Sequence, residues 1–253
     1  METIVNHPVL LFLVTFLLLW GGSYVGSLLR RRHEVMPDDE REDFNMILAA
    51  MLTLLGLIIG FTFSMAISRY DQRKNYEEEE ANAIGTEYLR ADLLPTESAE
   101  KVKSLLKTYL DLRIQHYTTE NREERHGIDD RIAVLEAQLW EAVRAPGVGS
   151  PTPVTALAIA GMNDVLNSQG YSQAAWWNRI PLAAWGLMWV IAIACNMMIG
   201  YYVRPADRYW LRVIVMPIIV SISFLLVADI DSPRGGIIRV HPQNLTALAS
   251  GLK

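Results

Sequence analysis

Cysteine is nearly missing from this chain of 253 residues: Cys195 stands alone, inside a long apolar run. A lone cysteine forms no intrachain disulfide and excludes a cysteine-based zinc site. Histidine is also sparse. His7, His33, His116, His126 and His241 are scattered, and no two stand at the helical spacing of a metal-ligand pair. No metal and no cofactor is therefore expected. Ser-His-Asp, nucleotide-binding-loop and HExxH patterns are all missing, so the chain reads as no enzyme. Excess positive charge is lacking too: the net charge is −5, which leaves no electrostatic footprint for a nucleic acid.

What is present is apolar sequence gathered into four blocks. Pro8 to Leu29 and Asn45 to Ile67 contain no charged residue; Ile180 to Val203 and Val213 to Ala228 form a second pair near the other end. About 20 apolar residues cross a ~30 Å hydrocarbon layer as a helix. Helices are the expected form because backbone polar groups find no water there. The fourth block is shorter, but Arg212 and Asp229 bound it, and an arginine can reach back to the headgroups. The first seven residues carry no Lys or Arg, whereas Arg30 to Arg32 follow the first block, so that block reads as a retained anchor and not as a cleaved signal. Gly21, Gly22 and Gly26 give it small residues of the kind that allow close helix packing.

Between the pairs the chain is polar and helical in pattern. From Ser68 to Leu94 there is no proline, and Arg73–Glu77 and Lys74–Glu78 stand at i,i+4, so the second span is expected to continue as a long helix until Pro95. Apolar periodicity predicts further helices from about Ser98 to Tyr117 and from about Asp129 to Arg144. The breakers from Pro146 to Pro153 predict a loop. A helix from Val154 to Leu166 then leads past Gly170 to Trp176 and Trp177, which with Trp185 sit where an interfacial aromatic belt is expected. After the fourth block, Pro233, Gly235 and Gly236 make a turn, and Ile237, Ile238 and Val240 suggest a short extended tail.

These features predict an all-α protein. Four transmembrane helices in two pairs flank a helical extramembrane domain, and the second span extends as a long helix. The expected divisions are 1–67 for the first helix pair, 68–179 for the extramembrane domain, 180–230 for the second pair and 231–253 for a C-terminal tail. The lipid bilayer is the first partner this implies.

Three stretches carry a family likeness: Gly60-Phe-Thr-Phe-Ser-Met-Ala-Ile-Ser-Arg-Tyr-Asp-Gln-Arg-Lys-Asn-Tyr76, Ala81 to Pro95, and Asp229-Ile-Asp-Ser-Pro-Arg-Gly-Gly-Ile-Ile-Arg239. The first resembles the bestrophin anion channels, whose second transmembrane helix carries a Gly-Phe pair before a charged run. All three together look closer to the bacterial bestrophin-like proteins, a family of unassigned function. The tail departs from the channels in having only Asp229 and Asp231 where bestrophins carry a conspicuous acidic cluster.

The resemblance implies a homo-oligomer, pentameric in bestrophins, that passes small ions, in a bacterial inner (plasma) membrane. It also implies a narrow neck lined by the second helix, which by spacing falls on Phe61, Leu57 and Thr53. Rings of apolar side chains can gate by dewetting. Ordinary helix packing or lipid contact is the alternative role for the same residues. The rival function is a non-conducting scaffold or sensor whose soluble helices bind a partner.

Charged residues near the membrane edge form a second candidate group: Arg69, Asp71, Arg73, Glu77, Glu80, Asp229, Asp231 and Arg234. Intramembrane and boundary carboxylates usually find partners. Arg69, Arg73, Arg234 and Arg239 are therefore candidate partners for Asp229 and Asp231, as structural pairs locking the fourth span to the long helix. Glu77 to Glu80, followed by Glu87 and Asp92, read either as a carboxylate vestibule for cations or as a solvated helix face.

Two lines disagree on orientation. Lys and Arg number four in the loop 30–41 and three in 204–212, against none in the N-terminal tail and three in the C-terminal one. The positive-inside rule then places the soluble middle in the periplasm, whereas the bestrophin topology places it in the cytoplasm.

Overall fold

The computed structural model describes residues 5, 7–30, 38–149, 151–202 and 209–252. The basic loops used in the charge count, 31–37 and 203–208, lie outside the described residues. The helices are α1 (Pro8–Arg30), α2 (Asp38–Arg90), α3 (Thr96–Thr118), α4 (Arg122–Gly149), α5 (Pro153–Trp177), α6 (Leu182–Tyr202), α7 (Tyr209–Asp231) and α8 (Gln243–Gly251). There is no strand among the described residues. Two compact units result: Met1–Tyr70 with Arg179–Arg239, and Asp71–Asn178 with Val240–Lys253.

The first unit contains four helices that are long and apolar enough to cross a membrane. α1 packs on α6 and α7 around Leu11, Leu19, Trp185, Met188, Ala192, Cys195 and Phe224, all buried. Lipid is as apolar as these side chains, so close fit rather than hydrophobicity must hold the helices together. Glycine provides that fit. A β-carbon on Gly26 would overlap the Met197 carbonyl, and one on Gly200 would overlap the Ser23 carbonyl, so α1 and α6 touch backbone to backbone. Gly21, by contrast, has nothing near it. Two polar pairs cross this contact: Trp189 Nε1 donates to Thr15 Oγ1 at 3.0 Å, and Ser23 Oγ donates to Asn196 Oδ1 at 3.5 Å. Arg30 Nη1 donates to the Tyr202 carbonyl at 2.9 Å, which ties the last turns of α1 and α6 together. Trp185 corrects the aromatic-belt expectation. It is fully buried, edge-on to Phe224 at 6.0 Å.

α2 continues as expected through the charged stretch, 53 residues in one helix and therefore roughly 80 Å long. Its apolar spanning part is 45–67; beyond it stand Arg69, Asp71, Arg73, Lys74 and four glutamates. The helix stops at Arg90 and tightens into a 3₁₀ turn over Ala91–Leu93, with Leu94 extended (φ −90°, ψ 162°) as the residue before a proline must be.

In the second unit α3 and α4 pair through Val102, Leu106, Tyr109 and Leu110 on one side and Ile128, Ile132, Leu135 and Leu139 on the other. α4 departs from the sequence expectation at both ends. It begins at Arg122, before Gly127, and runs through Pro146 to Gly149, where a loop was expected. A proline's φ is itself helical, so its cost is one lost hydrogen bond and a local clash. Packing offsets that cost: a β-carbon on Gly147 would overlap Ile159 of α5, so glycine lets the two helices meet where the breakers stand. The remaining breakers form a cap. Thr152 Oγ1 accepts from Thr155 N–H at 3.1 Å, Thr155 Oγ1 accepts from Thr152 N–H at 3.0 Å, and Pro153 opens α5. α5 then runs unbroken past Gly170 to Trp177. Ile237 and Ile238 lie in a turn rather than a strand, and the chain ends in the short helix α8, which packs on α3.

Candidate functional site

α2 is the least covered of the four spans. In its most apolar stretch 11% of residues are buried, against 33% for α1 and 50% for the last span. One side of it packs inward through Leu55, Thr62 and Ala66. The other side is open. Thr53, Leu57 and Phe61 are all exposed, the last two by 53% and 64%. Steps of four residues turn the helix by ~40°, so the three share one face. Gly60, Ser64 and Ser68 are exposed on the same side, and neither Gly56 nor Gly60 has any atom near its missing β-carbon. The Thr53 hydroxyl donates to the Ala49 carbonyl at 2.8 Å.

The charged candidates divide between the two units. In the first, Asp231 is completely buried and accepts from Arg69 Nη1 at 3.4 Å, Arg179 Nε at 3.1 Å and the Ile180 N–H at 3.2 Å. It therefore ties α7 to α2 and to the start of the third apolar block. Asp229 does something different: its two oxygens accept the N–H groups of Ile237 and Ile238, at 2.7 and 2.9 Å, and so fold the turn after α7 back on itself. A β-carbon on Gly236 would come within 2.5 Å of the Asp229 carbonyl, so the turn admits only glycine there. Arg239 Nε caps the Gly236 carbonyl at 2.7 Å, and Arg234 is half-buried on the turn. Arg179 was not among the sequence candidates, although it is the one basic residue between Trp177 and the third apolar block.

In the second unit the four consecutive glutamates split by helical phase. Glu78 and Glu79 are exposed; Glu77 and Glu80 are buried. Glu77 accepts the Leu245 N–H at 3.0 Å and Asn244 Nδ2 at 2.7 Å, so it holds the first turn of α8, where a helix presents its positive end. Leu248 of the same helix lies 3.0 Å from where a β-carbon on Gly85 would be. Glu80 is gripped by both sides of the Arg113 guanidinium, Nε and Nη2, and accepts from Tyr117 O–H at 3.4 Å. The Tyr117 oxygen also meets Ser172 Oγ at 2.8 Å, and Tyr109 O–H donates to Glu136 at 3.5 Å. Burial alone would lower the Arg113 pKa, but the Glu80 charge outweighs it and holds the guanidinium above its ordinary value. Burial and the same carboxylate push the Tyr117 phenol up. Arg73 is buried, while Asp71 is exposed. The buried partners Arg113, Tyr117 and Ser172, and the half-buried Glu136, were not read from the sequence. No cluster that could hold a metal occurs among the described residues.

Solved structures share the fold. A crystal structure of a bacterial bestrophin homolog from Klebsiella pneumoniae superposes with a TM-score of 0.61 at 14% identity, covering 95% of each chain. A tryptophan-to-alanine variant of that homolog gives 0.64 at 13% identity, covering 95% of this chain and 93% of the other. At such identities the likeness is one of fold. Among curated proteins there is no significant match. The model of the bestrophin-like domain matches residues 16–245, nearly the whole chain, and the protein belongs to the bestrophin-like family.

Proposed function

We infer that the protein is a subunit of a homo-oligomeric ion channel whose pore is lined by α2, with five copies by family resemblance. The observation that carries this reading is the open face of α2. A helix that only met lipid would need no small or hydroxyl-bearing residues on its outer side. This one carries Thr53, Gly60, Ser64 and Ser68 beside Leu57 and Phe61, a mixture suited to close approach of copies around an axis. Leu57 and Phe61 then form apolar rings that exclude water when closed.

Replacing both Leu57 and Phe61 by Ala tests this. In liposomes the double variant should leak ions faster than the wild type, with oligomer size unchanged. If the face packs against something solid, the same change costs ~2–5 kcal/mol per residue and brings no flux. An intact variant oligomer without added flux would move the assignment to a non-conducting scaffold or sensor that binds a partner through its soluble helices.

Family resemblance points to a bacterial inner membrane, and the charge count favours the periplasmic side for the soluble unit. Reporter fusions at His33 and Gly127 should then give cytoplasmic and periplasmic activity, respectively. The reverse result supports the bestrophin topology, and the same side for both breaks the four-span count.

A further inference from the structure

Glu87 is a titratable group with no role so far. It stands on the part of α2 outside the membrane, and its side chain is fully buried, 0% exposed. Neither carboxyl oxygen has a hydrogen-bond partner. A buried carboxylate without partners is among the most costly arrangements a protein can hold, whereas a neutral carboxyl is far cheaper. Across from it on α5 is Gly161. A β-carbon there would overlap Glu87 Oε2 and come within 2.6 Å of Arg90 Nη1. Glycine at 161 is therefore what makes room for the carboxyl, and the two helices are fitted to each other at this point.

The charged surroundings are few. Arg90 on α2 lies 3.9 Å from Asp164 of α5, a loose and partly exposed pair. Asp92 in the 3₁₀ turn is engaged by Lys103 of α3 at 2.6 Å. Lys103 and Lys107 of α3 face the Tyr88 ring at 5.0 and 5.7 Å. α8 carries no titratable side chain. Elsewhere the faces are apolar, with Ile84 and Ala91 on one helix and Ala158, Met162 and Val165 on the other, all buried.

We propose that Glu87 and Gly161 form a proton-operated latch between α2 and α5, closed while the carboxyl is neutral and released when it gives its proton to solvent. Burial raises the carboxyl to about 8; Arg90 opposes the shift and Asp164 adds to it. The folded state thus keeps a proton that the unfolded chain has already lost. The stabilisation is complete below the ordinary value of 4.5, declines as pH rises, and is gone above about 8. Near neutrality the latch is closed; in mildly alkaline medium it opens. If α2 lines a pore, alkalinisation changes conductance. That clause rests on the channel reading, and the latch does not.

The test uses the full-length protein in detergent or nanodiscs. Infrared difference spectra between pH 6 and 9 should show a protonated-carboxyl C=O band that disappears with a midpoint near 8 in the wild type and is missing in Glu87→Gln. Amide exchange in residues 84–94 and 158–165, compared with Glu87→Gln at the same pH, should rise about tenfold per pH unit up to the midpoint near 8 and level off above it. A wild-type carboxyl already ionised at pH 6 overturns the latch, and this arm needs no variant. Glu87→Gln that keeps the wild-type pH dependence also overturns it. Zero wild-type flux together with an intact carboxyl titration overturns the channel reading alone.

Discussion

Arg113→Ala should destabilise the soluble unit by about 3–5 kcal/mol, because it leaves the Glu80 carboxylate buried without its cation. The two groups are 1% and 0% exposed and meet through two guanidinium nitrogens, so water cannot take over the lost contact. The pair is not worth that much in its own right. Desolvating two ions offsets most of their attraction, and a volume-matched apolar pair does nearly as well. Arg113→Met combined with Glu80→Leu should therefore return stability to within about 1 kcal/mol of the wild type, or exceed it. Denaturant unfolding of the detergent-solubilised protein, run as a double-mutant cycle, separates these terms. If Arg113→Ala costs less than about 1 kcal/mol, the pair is a wet surface contact and the description of the core of this unit is wrong.

Asp231→Ala is the second large effect, again about 3–5 kcal/mol. It strands three donors at once: the guanidinium groups of Arg69 and Arg179 and the Ile180 N–H. Asp231→Asn keeps an acceptor for the N–H but loses the charge that faces two arginines, so it should fall between the wild type and the alanine variant. Asp229→Asn retains one acceptor oxygen where the turn needs two, so it should loosen residues 237–238 while leaving the helices in place. Thermal unfolding for the Asp231 pair and limited proteolysis for the turn distinguish the two roles. Equal damage from Asp229→Asn and Asp231→Ala would mean that both aspartates serve one charge cluster.

The spans were legible because long uncharged runs have few other uses, and the continuous α2 was legible because no proline interrupts it before Pro95. The fate of Pro146 was not, because the packing of Gly147 on Ile159 that compensates it joins residues on different helices. Helical phase does separate Glu77 and Glu80 from Glu78 and Glu79, but a sequence does not say which phase faces inward. The partner of Glu80 lies 33 residues away and that of Glu77 lies 168 away. Arg113 was the visible clue. It shares a face with Leu106, Tyr109, Leu110 and Tyr117, and a cation in a buried stripe demands a buried anion. α8 escaped notice because nine residues are too few for apolar periodicity to register.

Cys195 has a practical corollary in thiol chemistry. It is the only cysteine and is completely enclosed between the helices of the first unit. Reagents that alkylate accessible thiols should pass it by, and two copies of the chain cannot be oxidised together through it. The native protein is thus already a blank background for cysteine scanning. A thiol introduced at Thr53, Leu57 or Phe61 would report alone. Its rate of modification by a charged, membrane-impermeant reagent would read whether water reaches that face of α2.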